Sequence, residues 1–273
     1  MGADLLPVNM FWMGPRLSML ETGCMLSALR AGHAVTVFSY EKPSNLPAGI
    51  QWEDAAGVLP RENFVLYRGQ GAALGSNLFR YRLMEQQRGL WLDTDMLVLK
   101  PIIGDGTEIF GWQNQVLINS AVLFLPPHSS VLRDLLAFTS DLHPRPPFLD
   151  RRDRLKIGLR RAIGLPMHVS RMPWGVWGPN ALTHFIRRNG CEGRAQPCDV
   201  FYPVPFEQCE TLIRAGTAVE DRITPATRAI HLWNEGLRRS PGRQARITEP
   251  GAGIDPDSFV GRYFIRELGM ARW

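Results

Sequence analysis

The chain has 273 residues, of which 45% are hydrophobic and 21% charged, and its formal net charge is +5. This composition is typical of a globular protein rather than a disordered one, and the length allows one large or two small domains. No apolar stretch approaches the roughly 20 residues that cross a bilayer. Four cysteines without a CxxC pair indicate reduced thiols.

The charge is unevenly distributed along the chain. Residues 1–130 hold nine basic and eleven acidic residues, whereas residues 131–273 hold 22 basic and 15 acidic ones. A basic second half indicates anionic partners, such as a nucleotide diphosphate or a phospholipid surface. No nucleic-acid motif accompanies the charge, so we expect no nucleic-acid partner.

The first 40 residues predict a strand–helix–strand unit. Residues 8–13 form a short apolar run, residues 17–31 carry apolar side chains at helical intervals, and Val35–Ser39 is rich in β-branched residues. Such a unit makes a right-handed crossover between parallel strands, whose ligands bind beyond the carboxyl ends. Trp12 lies at that end, where its ring could stack on a base or pack in the core.

The next elements are a loop, a helix and two strands. Residues 43–57 are rich in proline and glycine and predict a loop. A helix is predicted over residues 71–88, which places Asn77 and Arg80 on neighbouring positions of one face. Strands are predicted over residues 109–112 and 121–125. Asn119 and Ser120 open the second of these strands, and an asparagine at a strand start is also common in ordinary turns.

Two carboxylates, Asp93 and Asp95, follow the apolar residues Trp91-Leu92 and precede a second apolar run over residues 96–99. In a regular strand they would point to opposite faces. For both carboxylates to bind one ion, the chain must turn there, or one carboxylate must act through water or the ligand. A bent Asp-X-Asp suits Mg²⁺ or Mn²⁺, which take one or two carboxylates together with phosphate oxygens. The alternative is a pair of surface carboxylates at a strand end.

A basic amphipathic helix is predicted over residues 150–163. Leu155, Leu159 and Ile163 recur every four residues among arginines and a lysine. Such a helix could lie on a membrane surface. The alternative is an ordinary solvated helix, or one packed on the globule.

The last third predicts several further elements. Trp174 and Trp177 lie in a loop before a helix from Pro179 to Arg188, and an exposed tryptophan there would suit stacking on sugar rings. Residues 229–233 predict a strand that contains His231. A basic loop over residues 237–246 and a final helix over residues 258–268 follow. A zinc site from Cys191, Cys198, Cys209 and a histidine is an alternative whose spacing fits no standard pattern.

Several blocks resemble the DXD-motif glycosyltransferase sugar-binding-region family. That family includes alpha-1,4-galactosyltransferase relatives, yeast mannosyltransferases and clostridial toxin glucosyltransferase domains. The resemblance covers residues 10–235, in blocks that read Phe11-Trp12-Met13-Gly14, Ser76-Asn77-Leu78-Phe79-Arg80-Tyr81, Gly89-Leu90-Trp91-Leu92-Asp93-Thr94-Asp95, Asn119-Ser120-Ala121, Trp177-Gly178-Pro179-Asn180 and His231-Leu232-Trp233-Asn234. The chain has Asn77 where the family usually has aspartate, which would leave Arg80 without its nearest carboxylate and freer to meet phosphate.

The resemblance implies a GT-A-like single α/β domain with a mixed, mostly parallel sheet flanked by helices. Residues 1–125 would form the nucleotide-sugar-binding half, and residues 126–273 the acceptor-side half with a C-terminal lid or helix. It also implies the site residues. These are Asp93, Asp95 and Arg80 for catalysis; Trp12, Asn77, Arg80, Asp93 and Asn119 for the donor; Asp93, Asp95 and His231 for the metal; and Trp174, Trp177 and Asn180 for the acceptor.

The implied activity is a retaining transfer from a nucleotide-sugar, with UDP expected, to a glycan or glycolipid, assisted by Mn²⁺ or Mg²⁺. By analogy, this fits bacterial polysaccharide assembly in the cytoplasm or at the inner face of the membrane. The first residues lack the pattern of a secretory signal, which agrees with that location. Two alternatives remain. One is a haloacid-dehalogenase-like phosphatase, because the first motif of those enzymes is similar to Asp93-Thr94-Asp95-Met96-Leu97-Val98. The other is a non-catalytic sugar-binding or membrane-surface module.

Overall fold

The computed structural model describes residues 4–69, 71–239 and 253–273. In chain order, the strands are β1 Asp4–Leu5, β2 Val8–Phe11, β3 Val35–Ser39, β4 Gln51–Asp54, β5 Leu90–Leu92, β6 Met96–Val98, β7 Ile103–Gly104, β8 Ile109–Trp112, β9 Ile118–Phe124 and β10 Ala229–His231. The α-helices are α1 Met19–Arg30, α2 Ala73–Glu85, α3 Ser130–Thr139, α4 Arg151–Ala162, α5 Pro179–Arg188, α6 Cys198–Phe201, α7 Asn234–Arg239 and α8 Phe259–Arg266.

A six-stranded mixed sheet forms the centre, in the order β4-β3-β2-β5-β9-β8. The first four strands are parallel, while β9 and β8 run antiparallel to their neighbours. Val8 on β2 pairs with both Val35 and Leu90, so the carboxyl ends of β2 and β5 meet at one edge. The predicted mixed, mostly parallel α/β fold is therefore confirmed, and Trp12 and Asp93 follow neighbouring strands at the same edge.

The predicted loop over residues 43–57 is wrong in its second part, where β4 pairs in parallel with β3. The prolines and glycine that indicate a loop are confined to residues 43–49. β4 is an edge strand, and all four of its residues are exposed or half-buried. An edge strand of this kind lacks the apolar alternation by which a half-buried strand is recognised in sequence.

Helices cover both faces of the sheet. On one face, α1 and α8 pack with β6 and β10 around Val8, Met10 and Cys24. On the other face, α2, α3 and α5 pack around Phe79, Trp91 and other buried side chains. Helices on both faces are the usual cover for parallel strands, because such strands are apolar on both sides.

A separate two-stranded ladder brings the end of the chain to the carboxylates. β10 runs antiparallel to β6, and His231 pairs with Met96. The predicted strand over residues 229–233 is thereby confirmed, with its end at His231. Because Met96 directly follows Asp95, this pairing fixes the imidazole beside the turn.

One expectation lies partly outside the described residues. The basic loop predicted over residues 237–246 begins inside α7, and its residues beyond 239 lie outside the described part of the chain. The division at residue 125 stays a prediction.

The four cysteines are free, as predicted. Among the helices of the described residues, none is long and apolar enough to span a bilayer.

The packing of α1 against α8 depends on a glycine and gives a stability prediction. A Cβ on Gly23 would lie 2.2 Å from the ring of the fully buried Phe264. Gly23→Ala should therefore destabilise the fold by about 1–3 kcal/mol, as overpacking does. Gly158 in α4 has nothing within 4 Å of its Cβ position, so Gly158→Ala should raise stability by up to about 1 kcal/mol. Urea unfolding of both variants checks this, and a Gly23→Ala protein as stable as wild type would contradict it.

Candidate active site

A tight turn brings the two carboxylates together. Asp93 follows β5 and donates its N–H to the carbonyl of Ala121 at 2.8 Å, and Met96 donates its N–H to the carbonyl of Asp93 at 3.1 Å. This closes a turn over residues 93–96, so the chain is not an extended strand here. Ligand atoms of Asp93, Asp95 and His231 consequently lie within 4.8 Å of one another.

Asp93 is held by an arginine from α2. Arg80 Nη2 donates to Asp93 Oδ1 at 2.9 Å, and Trp91 Nε1 donates to the same oxygen at 2.6 Å. Arg80 also donates through Nη1 to the carbonyl of Ser120 at 2.5 Å and lies 4.7 Å from the Trp91 ring centroid. Its side chain is 5% exposed. The expectation that Arg80 would lack a carboxylate partner is therefore wrong: its partner is Asp93, and its first role is to position that carboxylate.

Asp95 is held from the opposite side by the last ladder of the chain. His231 Nε2 lies 3.2 Å from Asp95 Oδ1, and the backbone N–H of Asn234 donates to Oδ2 at 2.9 Å. Burial by itself raises the pKa of Asp95, but the charge and hydrogen bond of His231 and the Asn234 N–H outweigh it and lower the pKa. Asp95 is thus a carboxylate at neutral pH, which is the form that binds a cation.

The His231 ring is held in place by aromatic neighbours. Its centroid lies 3.9 Å from that of Trp233 and 5.9 Å from that of Tyr202. Trp233 donates through Nε1 to the carbonyl of Val204 at 2.8 Å and has a φ of +56°. A left-handed backbone is rare for tryptophan and is found where surrounding contacts enforce it, often at functional sites. Here it turns the chain after β10.

The donor set fits a divalent cation. Two carboxylates and one imidazole are close together, and carboxylate oxygens are preferred ligands of Mg²⁺ and Mn²⁺. The imidazole nitrogen favours Mn²⁺ over Mg²⁺, because Mg²⁺ keeps to oxygen ligands. The alternative zinc site is not formed: within the described residues, Cys191, Cys198 and Cys209 do not belong to any such cluster.

Trp12 lies at the sheet edge predicted for the nucleotide base. Its backbone N–H donates to the carbonyl of Phe38 at 2.9 Å, and its indole Nε1 donates to the carbonyl of Arg16 at 3.1 Å. The side chain is half-buried against the core, so part of the indole is accessible. Stacking on uracil stays a prediction that this position allows.

The two asparagines predicted to contact the donor sugar are used within the fold. Asn77 is 7% exposed, donates through Nδ2 to the carbonyl of Ala73 at 2.7 Å and lies against Gly178. Asn119 is 5% exposed, donates to Gln113 Oε1 at 2.7 Å and accepts the N–H of Ala121 at 2.8 Å. Asn119 lies at the start of β9, where the sequence predicts it. A sugar contact by either residue stays a prediction, and both amides already have a structural role.

The three residues predicted to contact the acceptor differ in their exposure to solvent. Trp177 is fully buried, and its carbonyl accepts a hydrogen bond from the hydroxyl of Tyr81 at 2.8 Å. The expectation that its ring stacks on a sugar is therefore wrong, because the ring is part of the core. Trp174 is 54% exposed. Asn180 is half-buried and donates through Nδ2 to the carbonyl of Trp174 at 3.1 Å, which orders the loop. Contact of Trp174 or Asn180 with an acceptor stays a prediction.

Two residues of the site are absent from the sequence prediction. Asn234 Nδ2 donates to Glu21 Oε1 at 2.6 Å, and Glu21 is fully buried at the start of α1. Glu21 also forms a capping box with Ser18, which its spacing in the sequence could have indicated. No local pattern could indicate the contact with Asn234, because 213 residues separate the partners. Through Asn234, the first helix is linked to Asp95.

This link yields a prediction for the candidate cation site. Asn234→Ala removes the amide that bonds Glu21 and loosens the segment that holds Asp95, so the affinity for Mn²⁺ should fall about 10- to 100-fold, as for other outer-shell partners. Calorimetric titration with Mn²⁺ measures this. The matched control is Asn189→Ala, which removes a similar bond, to Asp134 at 3.0 Å. Equal Mn²⁺ affinity in the two variants would contradict the prediction.

Two adjoining cavities lie apart from these carboxylates. One, of about 540 Å³, is lined by Arg68, Gly69, Ser170 and Arg171. The other, of about 300 Å³, shares Arg68 and Arg171 and adds the side of α4 around Lys156. Pro173, which precedes Trp174, also lines the second cavity. The cavities are therefore basic and lie beside the predicted acceptor loop.

Comparison with known proteins relates the chain to galactosyltransferases. No protein-family profile matches it. Lactosylceramide 4-alpha-galactosyltransferase of Pongo pygmaeus is 26% identical over 185 residues, which cover 63% of this chain and 71% of that protein. The Homo sapiens enzyme of the same name is also 26% identical over 185 residues, 63% of this chain and 44% of the enzyme. The chain thus spans less than half of the human relative.

A solved structure with a similar arrangement is PaToxG Glycosyltransferase, with a TM-score of 0.43 and 9% identity over 68% of this chain and 70% of that one. The sequence similarity to the two galactosyltransferases agrees with the resemblance carried by the sequence blocks. The predicted relationship to glycosyltransferases is confirmed by these sequence similarities.

Proposed function

We propose that the chain is a retaining glycosyltransferase that moves a sugar from a UDP-sugar to a glycan or glycolipid acceptor. The observation that carries this proposal is the group Asp93, Asp95 and His231 at the carboxyl edge of the parallel strands. Ligands of α/β sheets bind at that edge. The similarity to named galactosyltransferases supports the same reaction class.

On the donor side, each residue has a distinct role. Trp12 takes the uracil face, and Asp93, Asp95 and His231 hold Mn²⁺ or Mg²⁺. When bound, the cation neutralises charge on the diphosphate leaving group. Arg80 orients Asp93 through its bond to Oδ1. His231 and the Asn234 N–H orient Asp95. The carboxylates are therefore fixed before the donor arrives.

On the acceptor side, the relatives' name suggests the chemistry. They are lactosylceramide 4-alpha-galactosyltransferases, so galactose and a glycolipid are the first donor sugar and acceptor to test. An alpha product from an alpha-linked nucleotide-sugar requires retention. Trp174, which is 54% exposed, offers a face for a sugar ring. By analogy, the acceptor belongs to bacterial polysaccharide assembly at the inner face of the membrane.

The alternatives differ in the reaction product. A haloacid-dehalogenase-like phosphatase would release phosphate from a simple phosphomonoester, and a sugar-binding module would release nothing. The phosphatase requires its first aspartate as a free nucleophile, whereas Asp93 Oδ1 accepts bonds from both Arg80 and Trp91. We therefore prefer the transferase, and product analysis separates the three.

Asp95 provides the decisive variant. Wild-type protein should release free sugar from a UDP-sugar in the presence of Mn²⁺, and Asp95→Ala should reduce this rate at least 100-fold because the carboxylate common to the His231 and Asn234 contacts is lost. Free sugar is measured by chromatography across UDP-glucose, UDP-galactose and their N-acetylated forms. Asp105→Ala is the control, since Asp105 is an exposed carboxylate. A folded Asp95→Ala protein with full Mn²⁺-dependent release would refute the metal role.

A further inference from the structure

Helix α4 turns its apolar side chains away from the protein. Leu155, Leu159 and Ile163 are 62%, 59% and 70% exposed, whereas Ile157 is 4% exposed. At about 100° per residue, the three exposed side chains fall within roughly 80° of one another, and Ile157 lies on the opposite side. The helix therefore packs through Ile157 and presents an apolar stripe to the outside. Leu165, just beyond the helix, is also 57% exposed and extends the apolar surface.

The stripe is bordered by positive charge. Six of the twelve residues of α4 are basic and one is acidic: Arg151, Arg152, Asp153, Arg154, Lys156, Arg160 and Arg161. None of the six basic side chains forms an ion pair with another described residue. Arg151 and Lys156 lie on the two flanks of the stripe at helical spacing. The charges are thus not neutralised from within the described fold.

We propose that this α4 surface binds the face of an anionic phospholipid membrane, with Leu155, Leu159, Ile163 and Leu165 in the acyl boundary and the basic side chains among lipid phosphates. An apolar stripe between basic flanks is the pattern of interfacial helices. Each basic residue near an anionic leaflet adds to the attraction. The proposal does not depend on the transferase reaction, although a glycolipid acceptor would be found in the same plane.

Charge complementarity favours a membrane over a second copy of the chain. A symmetric dimer through α4 would bring two clusters of six unpaired basic residues together, and like charges across an interface are unfavourable. The excess acidic residues of the segment 1–130 could neutralise α4 of a second copy only in a heterologous contact, not in a symmetric one. An anionic lipid surface matches both the charge and the apolar stripe.

Vesicle co-sedimentation of the full chain tests the proposal. Wild-type protein should bind phosphatidylcholine–phosphatidylglycerol vesicles at low salt and lose at least tenfold in binding at high salt, and it should not bind phosphatidylcholine alone. Leu155→Glu/Leu159→Glu should weaken binding at least tenfold. The matched control is Val116→Glu, at an apolar residue that is 66% exposed elsewhere on the surface; it should bind as wild type does.

Three further measurements make the outcome decisive. Circular dichroism melting shows that the variants are folded, and light scattering gives the oligomeric state. UDP-sugar hydrolysis without vesicles should be equal in all three proteins, which separates a failure of membrane binding from a failure of the proposed reaction. Vesicle binding that is absent at low salt, or unaltered in Leu155→Glu/Leu159→Glu, would overturn the proposal. The proposal would also be overturned if the wild-type protein were a dimer that does not bind vesicles and the Leu155→Glu/Leu159→Glu variant were a monomer.

Discussion

Two carboxylates held close together at the end of a buried strand repel each other, and much of the surrounding structure offsets this repulsion. Asp93 receives donors from Arg80 and Trp91, while Asp95 receives them from His231 and Asn234. These donors come from a helix before the turn, the strand that leads into it, and the last ladder of the chain. A buried charge is tolerated only when it is paired and hydrogen-bonded. The turn therefore requires segments far apart in sequence.

This requirement explains why the end of the described core returns to its centre. β10 pairs with β6 immediately after the turn, and Trp233 then bends the chain in a left-handed conformation. The bend delivers the Asn234 N–H to Asp95 and its side-chain amide to Glu21. Because Glu21 caps α1, and α1 packs on the sheet, the carboxylates are fixed to the rigid centre of the fold. A site built on strands and a capped helix is held more precisely than one on loops alone.

The sequence was sufficient for the elements that bury one face in a regular period. The first βαβ unit, α5 and the β10 strand lie where apolar spacing and glycine or proline stops indicate them. It failed for β4, which is an edge strand with exposed or half-buried residues and little pattern to detect. It also could not distinguish Trp174 from Trp177, because two tryptophans in one loop differ in burial only through tertiary packing. The Glu21–Asn234 contact is a long-range pairing that no local pattern encodes.

The sequence left two interpretations of the basic amphipathic helix, and the burial of its side chains supports the proposed membrane surface. α5 resembles α4 in being amphipathic, but Ala181, Leu182 and Ile186 are buried in the core, so burial accounts for its apolar residues. α4 has a single buried apolar anchor, Ile157. Exposed apolar side chains that occur singly need no explanation, whereas a contiguous stripe indicates an interaction site. A helix needed only for solubility would place polar side chains at positions 155, 159 and 163, and a helix needed only for packing would turn them inward. The orientation of α4 satisfies neither requirement, and the basic residues beside the stripe, which form no ion pair within the described part of the chain, agree with the proposed anionic membrane surface.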